Sequence, residues 1–376
     1  MVDRVNESRM LVRLGSEIAS AKDALTVNCK RAERASYLAR LGKFLQARSE
    51  LESLRAAYQS TPNAVMSSWL NLLEGLIGHF SNMDSGARGK IQRAHALSSA
   101  AGLPRIRGLS AAWLAHMDYL QVDPSSMTRH IVEAFEFSDV NEHSTRARAS
   151  LILAQAYHFA GKMDLALPWY ERSRSHAVSE GDDATVSALM HNMAWLKAQR
   201  LRAADCDLAS DLTAVESHAL LGAESTANFD ALIGSTSLRA LVPILRAQIL
   251  IVRGQYEEAL KIFDAEMSSA IREGMGRLTA DLLADQAWCR FHCGQVEAAF
   301  EDAMLAQANI NINGHFDDRA IAYSRISQTF LALGELTMAT TNRSLSITAW
   351  YQHTQLQARI LEELTKFEQW ISTRSE

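Results

Sequence analysis

The chain has 376 residues, of which 48% are hydrophobic and 22% charged, with five prolines, a formal charge of −5 and a sequence pI near 6.2. That composition supplies a large core and excludes a disordered chain, a collagen or a disulfide scaffold. The densest apolar run, Ala247–Val252, falls far short of the ~20 residues of a membrane-spanning helix, and the acidic balance argues against a nucleic-acid footprint over the whole chain.

The first residues contain no apolar stretch of signal-peptide length. Residues 3–21 place Val5, Met10, Leu14 and Ile18 at helical spacing, which predicts an amphipathic helix capping whatever follows it. Residues 1–110 carry 16 Lys and Arg against 9 Asp and Glu, and residues 111–376 carry 22 against 34. The excess reads as a solvated basic surface on the first third. Cys29, Cys206, Cys289 and Cys293 have no pairing pattern, so free thiols and a cytoplasmic setting are expected.

From residue 26 onward a frame repeats. Ala154 is followed seven positions on by Gly161 and twelve on by Ala166. The same spacing gives Ala35, Gly42, Ala47; Ala247, Gly254, Ala259; Ala287, Gly294, Ala299; and Ser327, Gly334, Ala339. Weaker copies stand at Gly75 with Asn82 and Ala87, Ala115 with Val122 and Met127, and Ala194 with Leu201 and Cys206. The eight anchors are 40, 40, 39, 40, 53, 40 and 40 residues apart, a regularity that predicts a repeat architecture.

Each unit reads as two helices. The glycine ends the first by adopting a left-handed conformation. The small residue of the second sits where two helix backbones cross closely, and Leu51, Ile91, Ile131, Tyr170 and Phe263, four positions further on, fill the groove between helices. The second helices are expected to end near Gly102, Gly181, Gly222, Gly274 and Gly314. No alternating apolar pattern of useful length predicts a strand. The expected fold is all-α: a right-handed α-α superhelix, or solenoid, of about eight helical hairpins. Residues 1–25 form the N-terminal capping helix, 26–213 units one to five, 214–236 an insertion, 237–353 units six to eight, and 354–376 a C-terminal capping helix with Leu356, Ile360, Leu364, Phe367 and Ile371 on one face.

This small-residue, Gly, Ala, aromatic frame resembles the tetratricopeptide repeat (TPR), lengthened from its usual period of about 34 residues as in the sensor domain of the maltose-regulon activator and the Rap-type peptide-pheromone receptors. The resemblance covers roughly residues 26–353 and is weakest in units two, three and five; unit three has no turn glycine, and Arg343 stands where unit eight should be apolar. The family's first helices line the concave side, with the positions one after and three before the anchor facing the groove. Carried over, the first of these rows is Ser36, Leu76, His116, Gln155, Trp195, Gln248, Trp288 and Gln328, with His158, His191, Asn192, Asp285, His292 and Arg325 nearby. Amides pair with an extended peptide backbone and indoles bury apolar side chains, so the resemblance implies a protein or peptide partner in the concave groove, toward units four to eight. The same residues facing neighbouring helices or water is the competing reading.

Enzyme signatures are lacking. There is no His-Glu-x-x-His, phosphate loop, dinucleotide fingerprint or Gly-x-Ser-x-Gly motif. Cys289, His292 and Cys293 have the spacing of metal ligands on one helix face but read more simply as core cysteines beside a lone histidine. Asp182-Asp183 and Asp317-Asp318 read as caps for the helices that follow them. The expectation is a non-enzymatic adaptor or sensor needing no cofactor, metal, membrane or nucleic acid. A receptor for a small peptide or metabolite that acts through another chain, an enzyme using His191, Asp285 and His292, and a structural subunit are the alternatives.

Overall fold

The computed structural model describes residues 8–209, 216–236, 239–312 and 314–374. Helix α1 (Arg9–Ser20) is followed by α2 (Ala24–Arg40), α3 (Phe44–Tyr58), α4 (Ala64–Asn82), α5 (Ala87–Ala100), α6 (Pro104–Leu120), α7 (Pro124–Glu136), α8 (His143–Phe159) and α9 (Met163–Glu180). The remainder is α10 (Asp183–Asp205), α11 (Glu216–Ile233), α12 (Leu241–Val252), α13 (Tyr256–Arg272), α14 (Thr279–His292), α15 (Val296–Ala308), α16 (Phe316–Ala332) and α17 (Leu336–Ser372), with one short 3-10 turn at Met275–Leu278. No strand occurs among the described residues. The expected all-α repeat fold is therefore the observed one, and α2 to α17 supply eight first-and-second helix pairs.

The chain divides into two compact units. Unit one comprises Met1–Met190, Asn228–Ser237 and Ala358–Glu376; unit two comprises His191–Ala227 and Leu238–Gln357. In unit one, Leu14 of α1 packs with Ala35, Leu41, Ala47 and Leu73, while Leu54, Trp69, Leu72, Ile91 and Trp113 form a second cluster. Unit two builds its core from Ile244, Leu250, Ala259, Phe263 and Leu282, continued by Ala284, Ala303, Ile326 and Phe330.

Why the frame repeats is visible at the turns. A residue with positive φ follows each of the eight first helices: Gly42, Met83, Val122, Gly161, Asp207, Gly254, Gly294 and Gly334. The geometry survives where the glycine does not. At Val122 a β-branched side chain sits at φ 60°, a conformation that costs on the order of 1–3 kcal/mol and persists because the pairing of α6 with α7 demands it. Close crossing explains the small residues. A Cβ on Gly75 would lie 2.6 Å from the Ile91 Cγ1 and 3.0 Å from the Ala87 carbonyl oxygen, so α4 and α5 meet only because position 75 has no side chain.

Several elements differ from the sequence-based expectation. The fifth first helix does not turn at Leu201: α10 continues to Asp205 and Leu201 is buried. Most of the expected insertion at 214–236 is α11, whose Ala223 packs with Ala194, Ala198 and Leu201 of α10. Gly222 lies inside α11 rather than ending a helix. No break separates the last repeat helix from residues 354–376, because 336–372 contain neither Gly nor Pro and run on as α17. Of the proposed capping acids, Asp182 does accept the Thr185 backbone N–H at 2.9 Å. Asp318 instead accepts from Gln199 and Arg277 side chains, so the first turn of α16 uses it as an ion-pair partner.

Candidate functional site

Residues seven apart on a helix are two turns apart and share a face. In unit two this rule joins Trp195 to Arg202 on α10 and Asp281 to Trp288 on α14, and these faces meet. The Arg202 Nη2 donates to Asp281 Oδ1 at 2.8 Å and to Asp285 Oδ2 at 2.6 Å, while Nη1 donates to Gln199 Oε1 at 2.6 Å. From α12 the Gln248 amide donates to Asp281 and Asp285 at 3.3 Å. Arg325 of α16 reaches Asp205 at 2.5 Å, Asp285 at 3.4 Å and Gln328 Oε1 at 2.8 Å, and the Gln328 amide donates to the Asp205 carbonyl at 3.1 Å.

Arg202, Arg325, Asp281 and Asp285 are almost fully buried. Two guanidinium groups face three carboxylates here. Burial raises the Asp281 carboxyl, with Arg202 opposing and Asp285 reinforcing the rise. Burial alone would lower Arg202, but the Asp281 and Asp285 charges outweigh it and hold the group above its ordinary range. The network locks four helices in one register. It can carry no acid–base chemistry without first breaking its own pairs.

Aromatic groups cover this network. The Trp288 ring lies 5.7 Å from the Arg325 guanidinium carbon and edge-on to His292 at 4.4 Å. His292, exposed, stacks on Tyr256 at 3.9 Å with 7° between the planes; burial and the Arg325 charge lower its pKa. Trp195 is half-buried against the apolar clusters of α12 to α14. His191 and Asn192 are half-buried on α10. So Gln248, Asp285, Trp288, His292, Arg325 and Gln328, six residues singled out in the sequence, come together. Arg202 and Asp281, the hub of the set, were not among them.

His116, Gln155 and His158 belong to unit one. His158 bonds the Tyr170 hydroxyl at 3.1 Å and ties α8 to α9. Gln155 is 5% exposed, and its Oε1 has no partner among the described residues. His116 is edge-on to His79 at 5.2 Å and to Trp113 at 5.8 Å. Two turns before Gln155 on the same face of α8 stands Arg148, 4% exposed, its guanidinium carbon 4.0 Å from the Trp113 ring centroid. Arg148 makes no hydrogen bond or ion pair to any described residue, and its Nε is sealed from solvent. Burial, with Arg40 nearby, lowers its pKa to about 9 against the pull of Asp182. Burial and the Arg148 charge lower His79 to about 4; burial, then His79 and Arg148, push His116 down as well. Both imidazoles are therefore neutral near pH 7.

Of the three residues at metal-ligand spacing at the end of α14, Cys289 is buried and His292 faces outward on Tyr256. Among the described residues, ligand atoms within 4.8 Å of one another are found instead at His315, Asp317 and Asp318, where Asp318 is already held by Arg277 and Gln199.

Fold and side chains together define an all-α helical-repeat protein, its first helices carrying rows of paired polar and aromatic residues. A solved structure of a Rap protein complexed with competence and sporulation factor has the same fold: the match covers 94% of this chain and 92% of that one, with a TM-score of 0.52 and 12% sequence identity. No family model matches the chain, and no curated protein matches it. No helix of the described residues is long and apolar enough to cross a membrane.

Proposed function

We propose that the protein is a non-enzymatic regulator that receives a protein or peptide partner on the groove side of its first helices. The observation that carries this reading is the exposed His292 with the half-buried Trp288 and Gln328 on the buried network of unit two, and the half-buried Trp195 on the apolar clusters beside it. Large aromatic surface backed by a rigid support is the composition of interface hot spots. The amide of Gln328, oriented by Arg325, offers the adjoining polar contact. A fold shared with a Rap protein that holds a bound factor supports the same reading, as does the resemblance of the repeat frame to peptide-pheromone receptors. The output then acts through the partner chain in the cytoplasm.

Affinity capture from the host lysate, comparing wild type with the Trp195→Ala, Trp288→Ala double variant, tests it. A hot-spot tryptophan contributes about 2 kcal/mol or more, so the variant, folded by circular dichroism, is expected to lose at least about thirtyfold in affinity for the captured partner if one of the two is a hot spot and several hundredfold if both are. Equal capture by both proteins would move the binding surface to the second helices or the chain ends.

A further inference from the structure

We propose that Arg148 of unit one is the docking point for a carboxylate on the ligand. That the carboxylate belongs to a peptide rests on the function proposed above; that Arg148 is an unfilled anion receptor rests on its own surroundings.

Buried guanidinium groups are ordinarily paired, because an unpaired charge out of water is strongly unfavourable. Arg40 shows the ordinary case. It donates to both oxygens of Asp182, at 2.8 and 2.9 Å, and to the Thr185 hydroxyl at 2.5 Å. The same carboxylate also accepts the Thr185 N–H at 2.9 Å and hydroxyl at 2.8 Å. Each Asp182 oxygen thus already accepts two hydrogen bonds, which fills its acceptor capacity, and nothing is left for Arg148.

Arg148 therefore rests with its guanidinium carbon 4.0 Å from the Trp113 ring centroid, its donors unspent. The charge around it balances to one positive unit: Asp182 neutralises Arg40, and His79 and His116 are neutral. A monoanion compensates that charge, whereas a phosphate dianion overshoots it. The planar guanidinium fork matches a carboxylate bidentately. His116 Nδ1, also buried and without a hydrogen-bond partner among the described residues, supplies a further polar atom beside the Trp113 ring. Gln155, two turns further along α8, presents its unpaired Oε1 on the same face, as an acceptor for a peptide N–H.

The test uses the full chain. Acetate, inorganic phosphate and chloride are titrated at matched ionic strength near pH 7 while the thermal transition is followed, on wild type, Arg148→Met and Arg148→Lys. The expected result is stabilisation of wild type that grows with acetate and exceeds that by phosphate or chloride, little response from Arg148→Lys, and none from Arg148→Met. An equal acetate response in wild type and Arg148→Met overturns the proposal, as does an equal response to all three anions.

A second arm presents short random-sequence peptides as free acids and as C-terminal amides. Retention of free acids alone, weakened about tenfold or more by Arg148→Met, supports docking of the C-terminal carboxylate. Retention in either form that requires Asp or Glu supports docking of a side-chain carboxylate. Peptides held equally well by Arg148→Met overturn the role of Arg148 and leave the peptide-binding reading standing. Acetate stabilisation confined to wild type, with no peptide retained, supports the Arg148 site and removes the peptide as its occupant.

Discussion

Replacing Arg202 by Ala is expected to destabilise unit two by about 3–5 kcal/mol, the usual consequence of removing one partner from a buried ion pair. The substitution strips Asp281 and Asp285 of their contacts at 2.8 and 2.6 Å, and Gln248 supplies only amide donors at 3.3 Å in their place. Asp285 keeps Arg325 at 3.4 Å. Asp281 keeps no cation among the described residues. For a unit of this size the loss corresponds to a fall of roughly 10 °C in its thermal transition. The double variant Arg202→Met, Asp281→Leu, which removes both sides of the pair, is expected to recover a large part of that loss. If Arg202→Ala shifts the transition by no more than about 1 kcal/mol, the network does not hold the four helices together.

The second large effect is one of pH. His79 is buried, and its pKa falls from 6.5 to about 4 in the fold. Between those values the unfolded chain binds the proton and the folded chain does not, so stability rises with pH across the window. The contribution is complete above about pH 6.5 and is lost as pH falls toward 4, amounting to about 3 kcal/mol. His116 changes in the same direction. Glu133 is held near 2 by His95 and Arg107 against the effect of burial, so the stability it contributes is lost only below about 4.5. Urea midpoints measured from pH 7 to 4 should fall steeply for wild type and less steeply for His79→Gln. Identical slopes would mean that His79 titrates normally in the folded protein.

Much of the fold could be read from spacing, because the constraint is local: a left-handed turn after each first helix and a small residue at each crossing. The reading failed where the local marker was ambiguous. Leu201 occupies the expected turn position, yet nothing in its neighbours stops α10. Gly222 looks like a terminator, but it sits inside α11, where an added Cβ would lie 3.9 Å from the Ala194 methyl. In unit two, Gln248, Trp288 and Gln328 followed from the anchor positions. Arg202 and Asp281 did not, since their pairing joins residues 79 positions apart and no periodicity announces it. Arg148 escaped for a different reason. An arginine in a helix reads as a solvated surface residue until its burial against Trp113 and the full occupation of Asp182 are seen.

The most direct measurement is amide hydrogen exchange of the protein with and without its captured partner. The account predicts new protection in the first helices, foremost α10, α14 and α16, where Trp195, Trp288 and Gln328 stand, with the second helices α13 and α15 unchanged. Protection confined to α13 and α15, with the first helices exchanging as before, would contradict it.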